Sequence, residues 1–248
     1  ILAENLLGGT CARVCPVELL CEGACVLVHE GRPPIQIAAL QRFATDWAFE
    51  EGIRARRVTA TPTGKRVAVI GAGPAGMACA GELAALGHAV EVYEGREEIG
   101  GLVRFGIAPY RQHVDPLPDE ARLVESLGVE FRLGEAIDSP EALRRIEDDC
   151  DAVVLAVGLG ADLEPELPGS ELPGVWRSLE FIEALKTGRP PEVGARTVVI
   201  GGGNTAVDVA REAVRLGAEV VTLAYRRTEA EMPAYDLPLA LRPDEISG

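Results

Sequence analysis

The fold of this 248-residue chain is decided by the stretch Val67-Ala68-Val69-Ile70-Gly71-Ala72-Gly73-Pro74-Ala75-Gly76. A short β-branched run passes here into a glycine-rich turn, and an alanine- and leucine-rich helical pattern follows from Ala75 to Leu86. Val90 to Tyr93 then has the composition of a second strand. Glycines in this context permit a tight turn and let backbone amides approach a pyrophosphate. The stretch therefore predicts a βαβ unit with a dinucleotide site at its turn.

Glu94, at the end of the second predicted strand, restricts the ligand of this first site. A carboxylate about 20 residues past such a turn accepts hydrogen bonds from ribose hydroxyls. A 2′-phosphate would meet the carboxylate without a compensating cation, so FAD or NAD fits this site and NADP does not. The alternative is a glycine turn that binds no ligand. The candidate residues of the turn are Gly71, Ala72, Gly73, Pro74, Ala75 and Gly76.

A second glycine-rich turn reads Gly201-Gly202-Gly203-Asn204-Thr205-Ala206. It follows the strand-like run Val198 to Ile200 and opens the helical pattern Thr205 to Leu216, with alanine in the position of the third glycine. Repetition of the arrangement predicts a second nucleotide-binding unit.

Two arginines give the second site the opposite charge. Arg226 and Arg227 follow the strand-like run Val220 to Tyr225, at the place where the first unit has Glu94. Guanidinium groups bind a dianionic phosphate in bidentate fashion, so NADPH is the predicted ligand. Two solvated surface arginines are the alternative, since arginine is ordinarily exposed.

The remaining pattern predicts an α/β protein with a helical start. Val129 to Phe131 and Ala152 to Val157 are further predicted strands, so each nucleotide-binding half is expected to be a parallel sheet covered by helices. The polar stretch Thr59 to Gly64, with its proline and glycine, is the predicted linker between the helical start and the first half. The predicted domains are a helical iron–sulfur module at 1–60, an FAD domain at 61–165 and an NAD(P)H domain at 166–248.

Four of the six cysteines form a cluster near the start of the chain, at Cys11, Cys15, Cys21 and Cys25. The spacing C-x3-C-x5-C-x3-C, with a proline after the second cysteine, is tighter than most zinc patterns. Soft thiolates suit either an iron–sulfur cluster or zinc, and the redox nucleotide sites downstream favour iron–sulfur, with structural zinc as the alternative. Cys79 and Cys150 lie in a helical pattern and before a strand, where packing roles are expected.

Composition narrows the range of partners. The chain has 24 Lys and Arg against 39 Asp and Glu, a net charge of −15, which repels nucleic-acid phosphates and anionic lipid. No apolar run reaches the roughly 18 residues that span a bilayer, and no signal-peptide pattern is present. Neither nucleic acid nor a membrane is an expected partner, and the cytoplasm is the expected location, although the chain opens at Ile1 rather than Met.

These features resemble a known family, the electron-input half of NAD(P)-dependent dihydropyrimidine dehydrogenase and the related small subunit of glutamate synthase. The resemblance covers nearly the whole chain. The stretches that carry it are Asn5-Leu6-Leu7-Gly8-Gly9-Thr10-Cys11-Ala12-Arg13-Val14-Cys15-Pro16, Leu40-Gln41-Arg42-Phe43-Ala44-Thr45-Asp46, Gly100-Gly101-Leu102, Gly106-Ile107-Ala108-Pro109-Tyr110-Arg111, and Tyr225-Arg226-Arg227 ahead of Glu231-Met232-Pro233. The Leu-Gln-Arg-Phe-Ala-Thr stretch is more similar to the dihydropyrimidine branch.

The resemblance implies the ligands of two 4Fe-4S clusters. By it, Cys15, Cys21 and Cys25 ligate one cluster together with a cysteine further upstream, and Gln41 is a non-cysteine ligand of the other. Cys11 matches a further family cysteine. Without the resemblance, Gln41 would be interpreted as an ordinary polar helix residue. For the nucleotides, the resemblance implies FAD at Gly71 to Ala75, Glu94 to Leu102 (with Gly101) and Arg111, and NADPH at Gly202, Gly203, Asn204, Thr205, Ala206, Arg226 and Arg227.

The implied activity needs no catalytic side chain, because the cofactors carry the chemistry. NADPH would pass a hydride to FAD, and single electrons would continue through the clusters to a partner, an FMN-bearing subunit that reduces a pyrimidine. The electron-input subunit of glutamate synthase and a ferredoxin-NADP transhydrogenase subunit are alternatives with a different acceptor protein. A truncated, non-catalytic remnant is the alternative of another class.

The sequence departs from the family at both ends. The family carries a further run of four cysteines upstream, so both clusters are expected to lack ligands here. It also continues past the nicotinamide domain and returns to complete the FAD domain. In this chain Met232-Pro233-Ala234-Tyr235 is followed by Asp236 to Pro243, which does not resemble the expected helix. We therefore expect an incomplete FAD domain and a truncated NAD(P)H domain.

Overall fold

A computed structural model of the chain describes residues 1–52, 59–162 and 167–234. The predicted change of pattern after Tyr235 lies outside these described residues. The chain divides into two compact units. The first comprises the described residues of Ile1–Ile107 and Arg111–Gly160, and the second comprises Ala108–Tyr110 together with the described residues from Ala161 onward.

Three helices form the N-terminal part of the first unit: α1 (Gly8–Val14), α2 (Val26–His29) and α3 (Ile37–Glu50). α1 and α3 are joined by polar contacts as well as by packing. The Gln41 amide donates to the Gly8 carbonyl at 2.6 Å, and Arg13, whose side chain is 6% exposed, pairs with Asp46 at 2.6 Å. The predicted helical module is therefore present, and residues 1–52 contain no strand.

A four-stranded parallel sheet forms the centre of the first unit. Its strands are β1 (Arg66–Ile70), β2 (Ala89–Glu94), β3 (Glu130–Leu133) and β4 (Ala152–Leu155), in the order β3-β2-β1-β4. The helices between them are α4 (Pro74–Ala85), α5 (Gly101–Phe105), α6 (Leu117–Glu125) and α7 (Pro140–Asp149). Val69 and Val92 are fully buried in the sheet, as expected of β-branched residues in a parallel sheet that helices cover.

The N-terminal module shares the core of this unit. Leu2 and Leu6 pack in the same buried cluster as Val69 and Val92. Gly81 of α4 makes the approach possible, because a Cβ atom there would lie 2.2 Å from Leu6 Cδ1. The module is thus packed directly on the helix that follows the first glycine turn.

The second unit repeats the βα arrangement on a smaller scale. It contains α8 (Ser178–Lys186), β5 (Arg196–Ile200), α9 (Asn204–Arg215) and β6 (Val220–Ala224), with β5 and β6 paired in parallel. Its core includes Ile182 and Ala213, and Ala108 is fully buried against it. The predicted fold class, a helical start followed by two parallel α/β units, is confirmed. None of the helices in the described ranges combines the length and the apolar composition that a membrane-spanning helix needs.

Candidate functional site

The first glycine turn is too tight for side chains at two of its positions. Gly71 has φ +107°, and a Cβ atom there would lie 2.4 Å from the Ala156 carbonyl oxygen. A Cβ atom on Gly76 would lie 1.9 Å from the Gly71 carbonyl oxygen. Both clashes are with backbone, so neither can be relieved by a side-chain movement. These glycines bring β1 directly into the start of α4.

Gly73, in contrast, faces open space. It is the N-cap of α4, and a Cβ atom there would have only Gly101 Cα within 4 Å, at 3.9 Å. No side chain caps the first amides of the 12-residue helix, and Pro74 occupies its first turn. Uncapped amides and the positive end of a helix dipole form a site for an anionic group. The space in front of Gly73 therefore fits the pyrophosphate of FAD.

Glu94 lies beside this turn, as its position at the end of β2 predicts. One carboxylate oxygen accepts from Ala72 N at 2.9 Å, and the other accepts from Arg96 N at 3.0 Å. Ala72 O in turn accepts from Gly100 N at 2.8 Å, which brings the start of α5 to the turn. The structure thus gathers the predicted residues Gly71 to Gly76, Glu94 and Gly101 in one place.

Two other residues implied for FAD, Leu102 and Arg111, are not among the residues that these hydrogen bonds bring to the first glycine turn. Leu102 lies in α5 beside Gly101 and is 52% exposed, which leaves it open to a ligand. Arg111 ends a short 3-10 helix, Pro109–Arg111, and is half-buried. Their roles remain predictions.

The second glycine turn has the same plan with different neighbours. A Cβ atom on Gly202 would lie 2.6 Å from the Tyr225 ring, whereas one on Gly203 would meet nothing within 4 Å. Gly203 is the N-cap of α9, and no side chain caps this helix either. The open position therefore recurs at Gly203 in front of Asn204, Thr205 and Ala206, and it too can receive a pyrophosphate.

The two arginines after β6 are exposed. Among the described residues, neither Arg226 nor Arg227 makes a side-chain hydrogen bond or an ion pair. Although the chain carries 39 acidic residues, the part that the structure describes leaves these two adjacent guanidinium groups unpaired beside the second glycine turn. This arrangement is suited to a dianionic ligand, which would accept several of their N–H groups.

The cysteines are brought together only in part. Cys11 lies in α1, where its sulfur accepts from Asn5 Nδ2 at 3.3 Å, and Cys15 follows at the end of that helix. Burial raises the pKa of Cys15, and the neighbouring Cys11 and Cys21 add to the rise. Backbone N–H groups of Ile35 and Leu27 lower the pKa of Cys25.

Thiolate donors have the right chemistry for an iron–sulfur cluster. However, no three cysteine, histidine or acidic side chains in the described ranges are close enough to hold a metal ion. The Gln41 amide is turned to the Gly8 carbonyl. Such donor sets rarely preform without their metal, so these five residues remain predicted ligands.

One buried carboxylate near the cysteines was not predicted from the sequence. Glu120 of α6 is fully buried, and its oxygens accept from Thr10 N at 2.8 Å and from Thr10 Oγ1 at 2.5 Å. Burial raises the pKa of Glu120, although the bonds from Thr10 oppose the rise. A signal was available, because Glu120 shares a helix face with the buried Leu117 and Leu123.

Two family models match the chain. Pyridine nucleotide-disulphide oxidoreductase matches residues 65–242, and the 4Fe-4S cluster domain II of dihydropyrimidine dehydrogenase matches residues 1–53. The first match contains the four clustered cysteines, and the second contains both glycine turns.

The chain is also similar to individual proteins. It is 39% identical over 239 residues to the glutamate synthase [NADPH] small chain of Halomonas elongata, which covers 92% of this chain and 50% of that protein. The Escherichia coli small chain is 39% identical over 240 residues, 92% of this chain and 51% of that one. This chain thus spans about half the length of these relatives. A solved structure of Mycobacterium tuberculosis FprA in complex with NADPH is 26% identical over 70% of this chain and 46% of that one, with a TM-score of 0.57.

Proposed function

Because this chain belongs to the pyridine nucleotide-disulphide oxidoreductase family, we propose that it takes electrons from NADPH, passes them to FAD, and delivers them through iron–sulfur clusters to a partner protein. FAD, NADPH and a 4Fe-4S cluster are the cofactors that the matches indicate. When bound, the flavin accepts a hydride from the nicotinamide and releases electrons one at a time. The protein supplies binding, orientation and charge.

The proposal rests on one observation: the residues that follow the second strand of each unit carry opposite charges. Glu94 follows β2 and Arg226 and Arg227 follow β6, each beside its own glycine turn. A carboxylate recognises ribose hydroxyls, and paired guanidinium groups recognise a 2′-phosphate. We therefore assign FAD to the first turn and NADPH to the second. Gly71, Ala72, Gly73, Pro74, Ala75, Gly76, Glu94, Gly101, Leu102 and Arg111 form the first proposed site, and Gly202, Gly203, Asn204, Thr205, Ala206, Arg226 and Arg227 the second.

The acceptor of the electrons is proposed from two similarities. The N-terminal match to the dihydropyrimidine dehydrogenase domain supports an FMN-bearing partner that reduces a pyrimidine. The 39% identity to glutamate synthase small chains supports a glutamate synthase large chain instead. In both alternatives this chain takes electrons from NADPH through FAD in the same way. Identification of the partner protein would distinguish between them. Six free cysteines fit a cytoplasmic location, where thiols stay reduced.

Flavin binding tests the first half of the proposal. We expect the full chain to bind FAD on reconstitution and NADPH to bleach the bound flavin under anaerobic conditions. Gly73→Val should abolish FAD binding, since the new side chain would occupy the open space proposed for the pyrophosphate. Gly194→Val is the matched control, because a Cβ atom there would meet only the Arg196 backbone, at 3.6 Å. Equal FAD affinities of the two variants would contradict the assignment.

Iron analysis tests the cluster half. Cys11, Cys15, Cys21 and Cys25 supply four thiolates, whereas two cubane clusters need about eight ligands and contain about eight irons. Anaerobic reconstitution of this chain should therefore give well under about eight irons per chain. A stable product with about eight irons and matching sulfide would show that the ligand assignment is wrong.

A further inference from the structure

The loop that carries the two arginines is fastened to the second glycine turn at both ends. We call residues 225–234 the arginine loop. At its start, the Tyr225 ring packs so closely on Gly202 that a Cβ atom there would lie 2.6 Å from the ring. At its end, Ala234 N donates to Gly202 O at 3.0 Å. The loop therefore leaves β6 and returns to the turn that receives the proposed nucleotide.

Inside the arginine loop, one residue joins the two sides. A single oxygen of the Glu231 carboxylate accepts from Thr228 N at 3.1 Å and from Thr228 Oγ1 at 2.8 Å. The Glu231 carbonyl accepts from the Tyr225 hydroxyl at 3.2 Å. The bonds from Thr228 lower the pKa of Glu231, so its carboxylate is ionised at neutral pH. Glu231 thus bonds to the residue before the arginine pair and to the residue after it.

The arginines themselves take no part in this bonding. Arg226 and Arg227 lie between Tyr225 and Thr228, and neither forms an ion pair with Glu231. One oxygen of the Glu231 carboxylate accepts from Thr228, and the Glu231 main-chain carbonyl accepts from Tyr225, so the chain is held on both sides of the pair. Within the described ranges the two guanidinium groups have no partner. Holding a binding group in place before the ligand arrives reduces the ordering cost of binding.

We propose that Glu231 is a positioning residue for 2′-phosphate recognition, which fixes the backbone that presents Arg226 and Arg227 without contacting the nucleotide. The inference rests on the proposed NADPH site. A positioning role means that the Glu231 carboxylate strengthens binding of the 2′-phosphate. Charge alone predicts the opposite, because a carboxylate close to a phosphate site should weaken binding. Charge and positioning therefore predict different outcomes for the same substitutions.

Calorimetric titration of the full chain with adenosine 2′,5′-bisphosphate and with 5′-ADP separates the two effects without requiring flavin or turnover. Glu231→Ala should weaken binding of the bisphosphate about tenfold and change binding of 5′-ADP less than about twofold. Glu231→Gln keeps an acceptor for Thr228 and should stay within about twofold of wild type for both ligands. Retained 5′-ADP affinity shows that each variant is folded.

Glu229→Ala is the matched control, because it removes the same charge from the same turn. Glu229 is exposed, and its carboxylate forms no hydrogen bond or ion pair with another described residue. It should bind the bisphosphate as wild type does, or slightly more tightly. If Glu231→Ala also binds as wild type does, or more tightly, the positioning role is refuted.

The outcomes distinguish this inference from the proposal beneath it. If the wild-type chain shows no preference for the bisphosphate over 5′-ADP, the NADPH assignment itself fails. If the preference exists and is lost in the variant Arg226→Ala/Arg227→Ala but kept in Glu231→Ala, only the positioning role fails.

Discussion

The two glycine turns are built alike, and they differ in what their neighbouring side chains have already bonded. At the first turn the Glu94 carboxylate accepts two backbone N–H groups, from Ala72 and Arg96. At the second turn Arg226 and Arg227 are unpaired within the described chain. In the proposed assignment, the βα scaffold supplies the place for a pyrophosphate, and the residues after the second strand of each unit select the rest of the ligand.

The largest expected effect is on stability, at the place of the third glycine of the motif, which is Gly76 in the first turn and Ala206 in the second. Gly76→Ala would place a methyl group 1.9 Å from the Gly71 carbonyl oxygen, whereas Ala206 already carries one without conflict in the second unit. We expect Gly76→Ala to reduce the free energy of unfolding by about 3 kcal/mol or more. The reciprocal Ala206→Gly should cost about 1 kcal/mol, the helix-propensity difference. Urea denaturation measures both, and equal losses would show that the two turns are more alike than their geometry indicates.

Replacement of the arginine pair should have the next largest effect, which is on nucleotide binding rather than on stability. Arg226→Ala with Arg227→Ala should weaken NADPH by about 1 to 3 kcal/mol for each charge-assisted bond lost and leave NADH nearly unchanged. Arg189→Ala with Arg196→Ala removes the same charge from exposed positions of the same unit and is the control. Equal losses for both nucleotides in the first double variant would contradict the assignment of the second turn.

Glu94→Gln should have a smaller effect on the first turn. The amide oxygen can still accept from Ala72 N, but the amide nitrogen cannot accept from Arg96 N or from a second ribose hydroxyl. We expect FAD affinity to fall by about 1 kcal/mol and the NADPH affinity of the second turn to stay constant. Titration of the flavin fluorescence measures the FAD affinity, and Glu135→Gln, which changes an exposed carboxylate just after β3, is the control. Tighter FAD binding by Glu94→Gln would indicate that Glu94 repels the ligand.

The smallest expected effect is on the pH dependence of stability, and it arises from one buried carboxylate in each unit. Glu120 accepts from Thr10 N, and Glu212 accepts from Tyr110 N at 3.3 Å, so each holds a backbone amide distant in sequence. Burial raises the pKa of both above the ordinary 4.5. An acid with a raised pKa in the folded state contributes stability below its unfolded pKa and loses it as the pH rises.

Wild-type stability should therefore fall relative to Glu120→Gln as the pH rises above 4.5. The Glu212→Gln variant should show the same direction with a smaller slope, because Arg215 lies near that carboxylate, at 3.8 Å. Urea denaturation at a series of pH values measures the difference. A pH-independent difference for both variants would mean that neither carboxylate titrates differently on folding.

The sequence alone was enough to predict the strands and helices beside the glycine turns. β1, α4 and β2 agree with the predicted runs to within one or two residues, because local periodicity and glycine conformation determine them. The proximity of Glu94 to the first turn was expected from its position about 20 residues past the turn, at the end of the second predicted strand. The bond between Glu120 and Thr10 did not, since it joins residues 110 apart and no local pattern encodes such a pair. The Glu231 bonds were missed for another reason: they depend on the conformation of a loop.

The same Thr10 contact limits how this protein can be recombined. Separate family matches for residues 1–53 and 65–242 suggest a cassette design, in which an iron–sulfur segment is exchanged between flavoproteins. Here the segment inserts Leu6 against Gly81 and supplies the donors for the buried Glu120 carboxylate. A chimera with a foreign N-terminal segment would leave that carboxylate without its donors, at a cost of several kcal/mol. Successful exchange therefore requires α4 and α6 to be transferred together with the segment, or Glu120 to be replaced by an apolar residue at the same time.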